Sequence, residues 1–297
     1  MGPEYLIMRS DREVEIIQKA YLYACSKDVE VIKPGNVNID YPHDDTSAYD
    51  FLRSAHDSTK FLFDKYLSLG ERLYMSVKAS RENISSNTNL GILILVCPII
   101  QSLLVSNKKY LPDALQDVID NSSEADTKLL CEAINIANPG GLGTSPKLDT
   151  KLLPSVSINE IMQESSSYDR LSFQYCTKYG DILDFVVPKI REYRKNIENT
   201  DYLLSIVFLE IMANIPDTHI RRKFGKKIAK KTSNQASDLI KIILKDCSYS
   251  RAIRQICALD YEYKNKGINP GTTADLLLAS IMIERVFSLS HKRDCDK

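Results

Sequence analysis

Residues 90–104 read LGILILVCPIIQSLL, a run without charge in which only Gln101 and Ser102 interrupt the apolar and small side chains. A helix needs roughly 20 apolar residues to cross a bilayer. This run stops short of that, with Lys108 and Lys109 close behind it. It predicts a helix buried inside a folded protein. Two further segments, Tyr202–Ile215 and Ala274–Leu289, are apolar on nearly every face, the pattern of helices at the centre of a bundle.

The surrounding sequence has a different rhythm. In Val14–Cys25 the residues Val14, Ile16, Ile17, Ala20, Tyr21 and Ala24 recur in steps of three and four, which gathers them on one helical face. Ser47–Leu69, Ala114–Asp120, Lys128–Ala137 and Asp181–Ile197 read as amphipathic helices of an outer layer. Glycine and proline collect at Lys33–Pro42, Asn138–Pro154 and Lys266–Gly271, which marks loops. No alternating pattern of strand length competes. The expected fold is all-α, with residues 1–297 as a single domain: a helical bundle with apolar central helices and an outer layer of amphipathic ones.

Composition excludes some partners. Thirty-nine basic residues balance thirty-nine acidic ones, so no overall field recruits nucleic acid or an anionic membrane. The seven cysteines are scattered, with no CxxC pair, which points to reduced thiols in the cytoplasm. Glu4, Asp11 and Glu13 make the start unlike the basic opening of a secretory signal.

Each central helix meets a polar cluster at one end: Asn87-Thr88-Asn89 before the first, Pro216-Asp217-Thr218-His219 after the second, and Asn269 to Asp275 opening the third. Polar groups at the ends of buried helices are either hydrogen-bonded or meet a ligand. Thr272 and Asp275 fit a capping box. The same segment also suits an anion, because a helix N-terminus offers unpaired N–H groups and Gly271 lets the backbone come close. Asp275 would then hold Mg²⁺ beside a phosphate. In HIRRKFGKKIAKK, His219 to Lys231, Lys223, Lys227 and Lys231 step by four. Arg221, Arg222 and Lys223 are placed to grip a polyphosphate, the later lysines to coat a solvated helix. Glu210 and Glu284 lie within apolar helices and call for partners. The glycines at Asn138–Gly143 offer a backbone nest for an anion, and His56-Asp57 is similar to the His-Asp pair of helical metal-dependent phosphohydrolases, although on an amphipathic helix it reads first as helix surface.

Taken in order, these clusters resemble the triphosphoribosyl-dephospho-CoA synthase family over about residues 14–290. The carriers are Lys33-Pro34-Gly35-Asn36-Val37, His43-Asp44-Asp45, Phe51-Leu52-Arg53-Ser54-Ala55, Asn87-Thr88-Asn89-Leu90-Gly91, Asp217-Thr218-His219 with Lys223 and Gly225, and Asn269 to Leu277. Asp44, Asn89, Leu90 and His219 stand where the family has Arg, His, Lys and Asn. The resemblance implies an all-helical transferase that moves the triphosphoribosyl unit of ATP to a ribose 2′-hydroxyl of dephospho-CoA and releases adenine. It implies Asp45, Asp217 and Asp275 as catalytic carboxylates, with Asp217 and Asp275 holding Mg²⁺. Lys33, Asn36, Asn87, Thr88, Asn89, Arg221, Lys223, Gly271, Thr272 and Thr273 are the expected phosphate and substrate contacts. Two alternatives stand beside it: a metal-dependent phosphohydrolase using His43, His56 and Asp57, and a non-catalytic nucleotide-binding module.

Overall fold

The computed structural model describes residues 10–39, 47–82, 89–138, 155–246 and 248–295, with backbone alone at 246 and 291–295. The described residues form fourteen α-helices and no strand. Helix α1 is Asp11–Glu30, α2 Ala48–Leu62, α3 Leu69–Arg81, α4 Leu90–Val105, α5 Leu111–Asp120, α6 Glu124–Ala137, α7 Ile158–Ser165 and α8 Arg170–Cys176. A π-helical turn, Asp181–Val186, leads into α9 Val187–Arg194, followed by α10 Thr200–Asn214, α11 Thr218–Phe224, α12 Lys226–Asp246, α13 Tyr249–Asn265 and α14 Gly271–Cys295.

The three apolar runs are the central helices α4, α10 and α14. Every side chain from Ile92 to Ile100 is buried. Helix α14 packs against α1, α4, α9, α10 and α11, and α4 against α3, α5 and α8. The apolar core is one cluster reaching from Ile17 to Phe287. No single described helix is long and apolar enough to cross a membrane.

Local sequence explains where helices begin. Ser10/Glu13, Ser47/Asp50, Ser68/Glu71, Ser123/Asp126 and Ser157/Glu160 all close capping boxes, each satisfying two backbone N–H groups that the first helical turn leaves free. The box at Ser68 breaks the helix expected over Ser47–Leu69 into α2 and α3. The turn between them is held by Arg72, wholly buried, whose guanidinium donates to the carbonyls of Leu62 and Leu67 and to Gln101 Oε1. The helix expected over Asp181–Ile197 begins instead as the π turn, with Pro188 in the first turn of α9, where a missing N–H costs nothing. The predicted lysine stripe is interrupted as well. Gly225, at φ +84°, ends α11, so Lys223 belongs to one helix and Lys227 and Lys231 to the next.

Both glutamates within the apolar helices have partners. Glu284 accepts from Arg191 and Arg194, each at 2.7 Å. Glu210 is held by a phenol instead of a cation, Tyr193 donating at 2.6 Å.

Pro98 sits in the middle of α4. It has no N–H for the carbonyl four residues earlier, that of Ile94. The Tyr175 hydroxyl supplies the missing donor at 2.6 Å, and Tyr179 donates to Leu95 O at 3.0 Å. Tyr175→Phe should leave a buried carbonyl unsatisfied and cost about 1–3 kcal/mol, read by urea denaturation. In a Pro98→Ala background, where the helix regains its own donor, the same substitution should cost clearly less. Equal costs in both backgrounds would show that the phenol does not compensate for the proline.

Candidate functional site

Asp217 joins two of the polar clusters. As the N-cap of α11 it accepts the Ile220 N–H through Oδ1 at 2.8 Å, and through Oδ2 it accepts both the N–H and the hydroxyl of Thr273, each at 2.8 Å. It is 1% exposed. These bonds bring the start of α11 against the start of α14. Three of the roughly four acceptor positions of a carboxylate are therefore filled. Burial pushes the Asp217 carboxyl upward in pKa while the hydrogen bonds pull against it.

A second clasp lies beside the first. The Thr218 and Thr272 hydroxyls are 3.1 Å apart, and Thr272 Oγ1 also accepts the His219 N–H at 3.2 Å. Thr218 receives the Arg170 N–H at 3.2 Å and gives its hydroxyl to Asp169 at 3.4 Å, bringing in α8. The expected Thr272–Asp275 capping box is not formed. Because α14 already starts at Gly271, with Ala274 N–H donating to Pro270 O, Thr272 falls inside the first turn and turns its hydroxyl across to α11.

The Lys33–Asn36 loop fits beneath the same helix end. Gly35, at φ +82°, donates its N–H to Asp260 at 2.8 Å, and a Cβ there would overlap Ile268 O, so this close approach admits only glycine. Asn36 Nδ2 donates to Asn269 Oδ1 at 2.9 Å. Lys33 is wholly enclosed with its ammonium on Asp28, which holds its charge inside the protein instead of presenting it to solvent.

Asp275 sits between these parts. It is half-buried, and its carboxylate lies so close to Gly91 of α4 that a Cβ there would overlap Oδ2. No described group donates a hydrogen bond to it. Burial first, then the charges of Asp28, Asp217 and Asp169, hold its carboxyl well above the usual range, with Lys33 opposing. Next to it the imidazole of His219 lies over Gly271. Burial lowers the His219 pKa and the Asp217 charge works against that.

Thus Lys33, Asn36, Asp217, Gly271, Thr272, Thr273 and Asp275 converge. Asn89 joins them as the buried N-cap of α4, its Nδ2 donating to Phe51 O at 3.4 Å. Arg221 is half-buried and Lys223 exposed on α11. Asp45, Asn87 and Thr88, the His43 of the hydrolase alternative, and the Pro139–Gly143 part of the nest lie outside the described residues. His56 is 79% exposed on α2 beside Asp57, and among the described residues no three acid, cysteine or histidine side chains are arranged to hold a metal. Asp28 and Asp169 went unnoticed in the sequence because neither belongs to a motif and their partners are distant. A cavity of about 380 Å³ opens at the other end of α4, lined by Ser68, Gln101, Asn107 and Asn121 among others and by none of the predicted site residues.

Comparison with known proteins identifies the fold and the family. Among curated proteins no match was found. Among solved structures, one provisionally described as a triphosphoribosyl-dephospho-CoA synthase from Archaeoglobus fulgidus superposes with a TM-score of 0.61 at 18% identity, covering 78% of this chain and 97% of that one. At that identity the likeness establishes the fold. The sequence profile of the CitG family, ATP:dephospho-CoA triphosphoribosyl transferase, matches residues 14–294, and the chain belongs to that family of transferases acting on ATP and dephospho-CoA.

Proposed function

We propose that the transfer chemistry of this chain centres on Asp275, with Asp217 and the Lys33–Asp28 pair holding its surroundings in place. The observation that carries this reading is the contrast between the two carboxylates: Asp217 is sealed and bonded three times, whereas Asp275 keeps part of its surface exposed and accepts no bond from described groups.

In the reaction the bond between adenine and ribose C1′ breaks. Adenine leaves with the electron pair and takes up a proton, and the acceptor hydroxyl bonds to C1′ and loses one. Positive charge develops on the ribose as the bond lengthens, and a group of carboxylates has the right sign to stabilise it. A carboxyl whose proton affinity is raised above the usual carboxylate range is also suited to take the hydroxyl proton, a role assigned here to Asp275. Arg221 and Lys223, with the N-terminal end of α14 at Gly271–Thr273, are assigned to the phosphates. Asp45, Asn36, Asn87, Thr88 and Asn89 complete the set on the strength of the family motifs. The thiol pattern supports a reducing cytoplasm as the setting.

The donor atoms here are carboxylate oxygens, which suit a hard cation such as Mg²⁺. Asp217 is 1% exposed and already bonded three times, and no self-sufficient trio exists among the described residues, so of the two expected ligands Asp275 is the one that would hold it, together with phosphate oxygens of ATP. When bound, Mg²⁺ supplies positive charge that offsets the triphosphate.

Adenine release from ATP in the presence of dephospho-CoA, followed by chromatography, tests the assignment. Asp275→Asn should lower turnover by about 10²–10⁴-fold, with circular dichroism confirming that the variant folds. Unaltered turnover would remove Asp275 from the chemistry, and phosphate release without an acceptor would favour a hydrolase.

The same residue generates a stability prediction. Because the Asp275 carboxyl is raised in the fold, the folded state binds this proton more tightly than the unfolded state does. Folding therefore weakens as pH rises from about 4 through the raised value. Asp275→Asn should melt above wild type at pH 7–8 and lose that advantage toward pH 4. A melting difference that does not vary with pH would contradict the electrostatic account.

A further inference from the structure

Residues 218–237 contain seven lysines and arginines and no acid. Arg222, Lys223, Lys226, Lys227, Lys230 and Lys231 are all exposed. Several surface lysines elsewhere are paired: Lys19 with Glu15, Lys27 with Glu30 and Asp201, and Lys241, further along α12, with Asp238. Among the described residues none of the six exposed cations has an ion-pair partner, and Lys223 reaches only the Phe224 ring at 5.4 Å. An ordinary solvated helix interleaves charges of both signs.

The placement of these cations also works against the fold. Lys226 and Lys227 open α12, and no acid lies in its first turn. Cations at a helix N-terminus face the positive end of its dipole. Gly225 passes the chain from α11 into α12 and divides the stripe between them, yet exposed cations stand on both sides of it, and the charges of Arg222 and Lys223 are felt at His219, beside the Asp217 clasp. Seven residues of α11 rise only ~10 Å, so Lys226 and Lys227 lie within one or two Debye lengths of the site, a Debye length being about 8 Å at physiological ionic strength.

We propose that the acid-free surface from Arg222 to Lys230 is an electrostatic approach that captures nucleotide polyphosphate and delivers it to Asp275. This rests on the functional reading above and extends it to residues outside the reacting cluster. A chain with zero net charge exerts no overall pull on a polyanion, so a local field beside the site has to provide one. The effect is graded along the surface. It is greatest at α11, falls over the first turn of α12, and ends at Lys231, whose charge is felt by Glu262 of α13.

The test measures the association rate of a fluorescent ATP analogue with wild type, with Lys226→Glu/Lys227→Glu/Lys230→Glu, and with Lys231→Glu, from about 0.02 to about 0.5 M ionic strength. Adenine release is measured in parallel, and circular dichroism confirms folding. Wild-type association should fall steeply with salt. The triple variant should associate about tenfold more slowly at low salt, show a flattened salt dependence and meet the wild-type curve at high salt, with kcat unchanged. Lys231→Glu should follow wild type. Salt-insensitive wild-type association, or a triple variant as fast as wild type at low salt, overturns the proposal. So does a single-stranded oligonucleotide that binds more tightly than ATP and is lost in the triple variant. Salt-dependent capture without adenine release would overturn the catalytic reading and leave the capture surface standing.

Discussion

The arrangement around Asp275 depends on one buried carboxylate, that of Asp217. A charge at that depth is tolerable only when its acceptors are filled. Here the donors come from two helices, Ile220 from α11 and Thr273 from α14, the latter 56 residues beyond Asp217 in sequence. If those bonds were lost, α11 would have no cap and α14 no lateral tie at its first turn. The Thr218–Thr272 contact and the approach of α8 would then go too, since both rely on the same juxtaposition. The clasp sets where the first turn of α14 points, and so where the Asp275 carboxylate stands against Gly91.

Why these helices reach one another follows from the central bundle. Helices α4, α10 and α14 bury side chains on nearly every face, so their polar residues are pushed to the ends. The start of α4, the end of α10 and the start of α14 come together, and the partial positive charges of the α4 and α14 N-termini favour acids gathered there. Lys33 adds a full positive charge at the same place without being exposed. Paired with Asp28 and sealed, it acts on Asp275 through the protein interior, where screening by salt is weak.

Much of this was legible in the sequence, for a physical reason. An apolar run of fifteen residues with no charge can only be interior, which identified α4, and segments apolar on nearly every face identified α10 and α14; the polar clusters at their ends marked where a site would form. What escaped was information carried by single residues against a continuing pattern. Helical spacing runs unbroken through Ser47–Leu69, yet Ser68 with Glu71 restarts the helix. The lysine stripe runs on through position 225, yet glycine in a left-handed conformation divides it. Asp28 and Asp169 were invisible for the opposite reason: nothing near them in sequence marks them, and their importance comes from Lys33, Thr218 and Asp275, which tertiary folding brings alongside. Thr272 shows the middle case, since its hydroxyl was expected to bond locally and instead found a partner across the helix junction.

The two carboxylates at the start of α14 and α11 differ in what the fold does for them, and that difference separates structural from chemical roles. Asp217 is given three donors, and these offset much of the cost of its burial. Asp275 is partly buried, crowded by three other acids and given no donor, an arrangement a purely structural residue would be expected to shed, because an asparagine would relieve the repulsion at nearly the same volume. A residue left without donors at the start of a helix is instead placed to meet the substrate: a bound counter-cation would face the Asp275 carboxylate, while the phosphates would face the N-terminal end of α14 and the cations of α11.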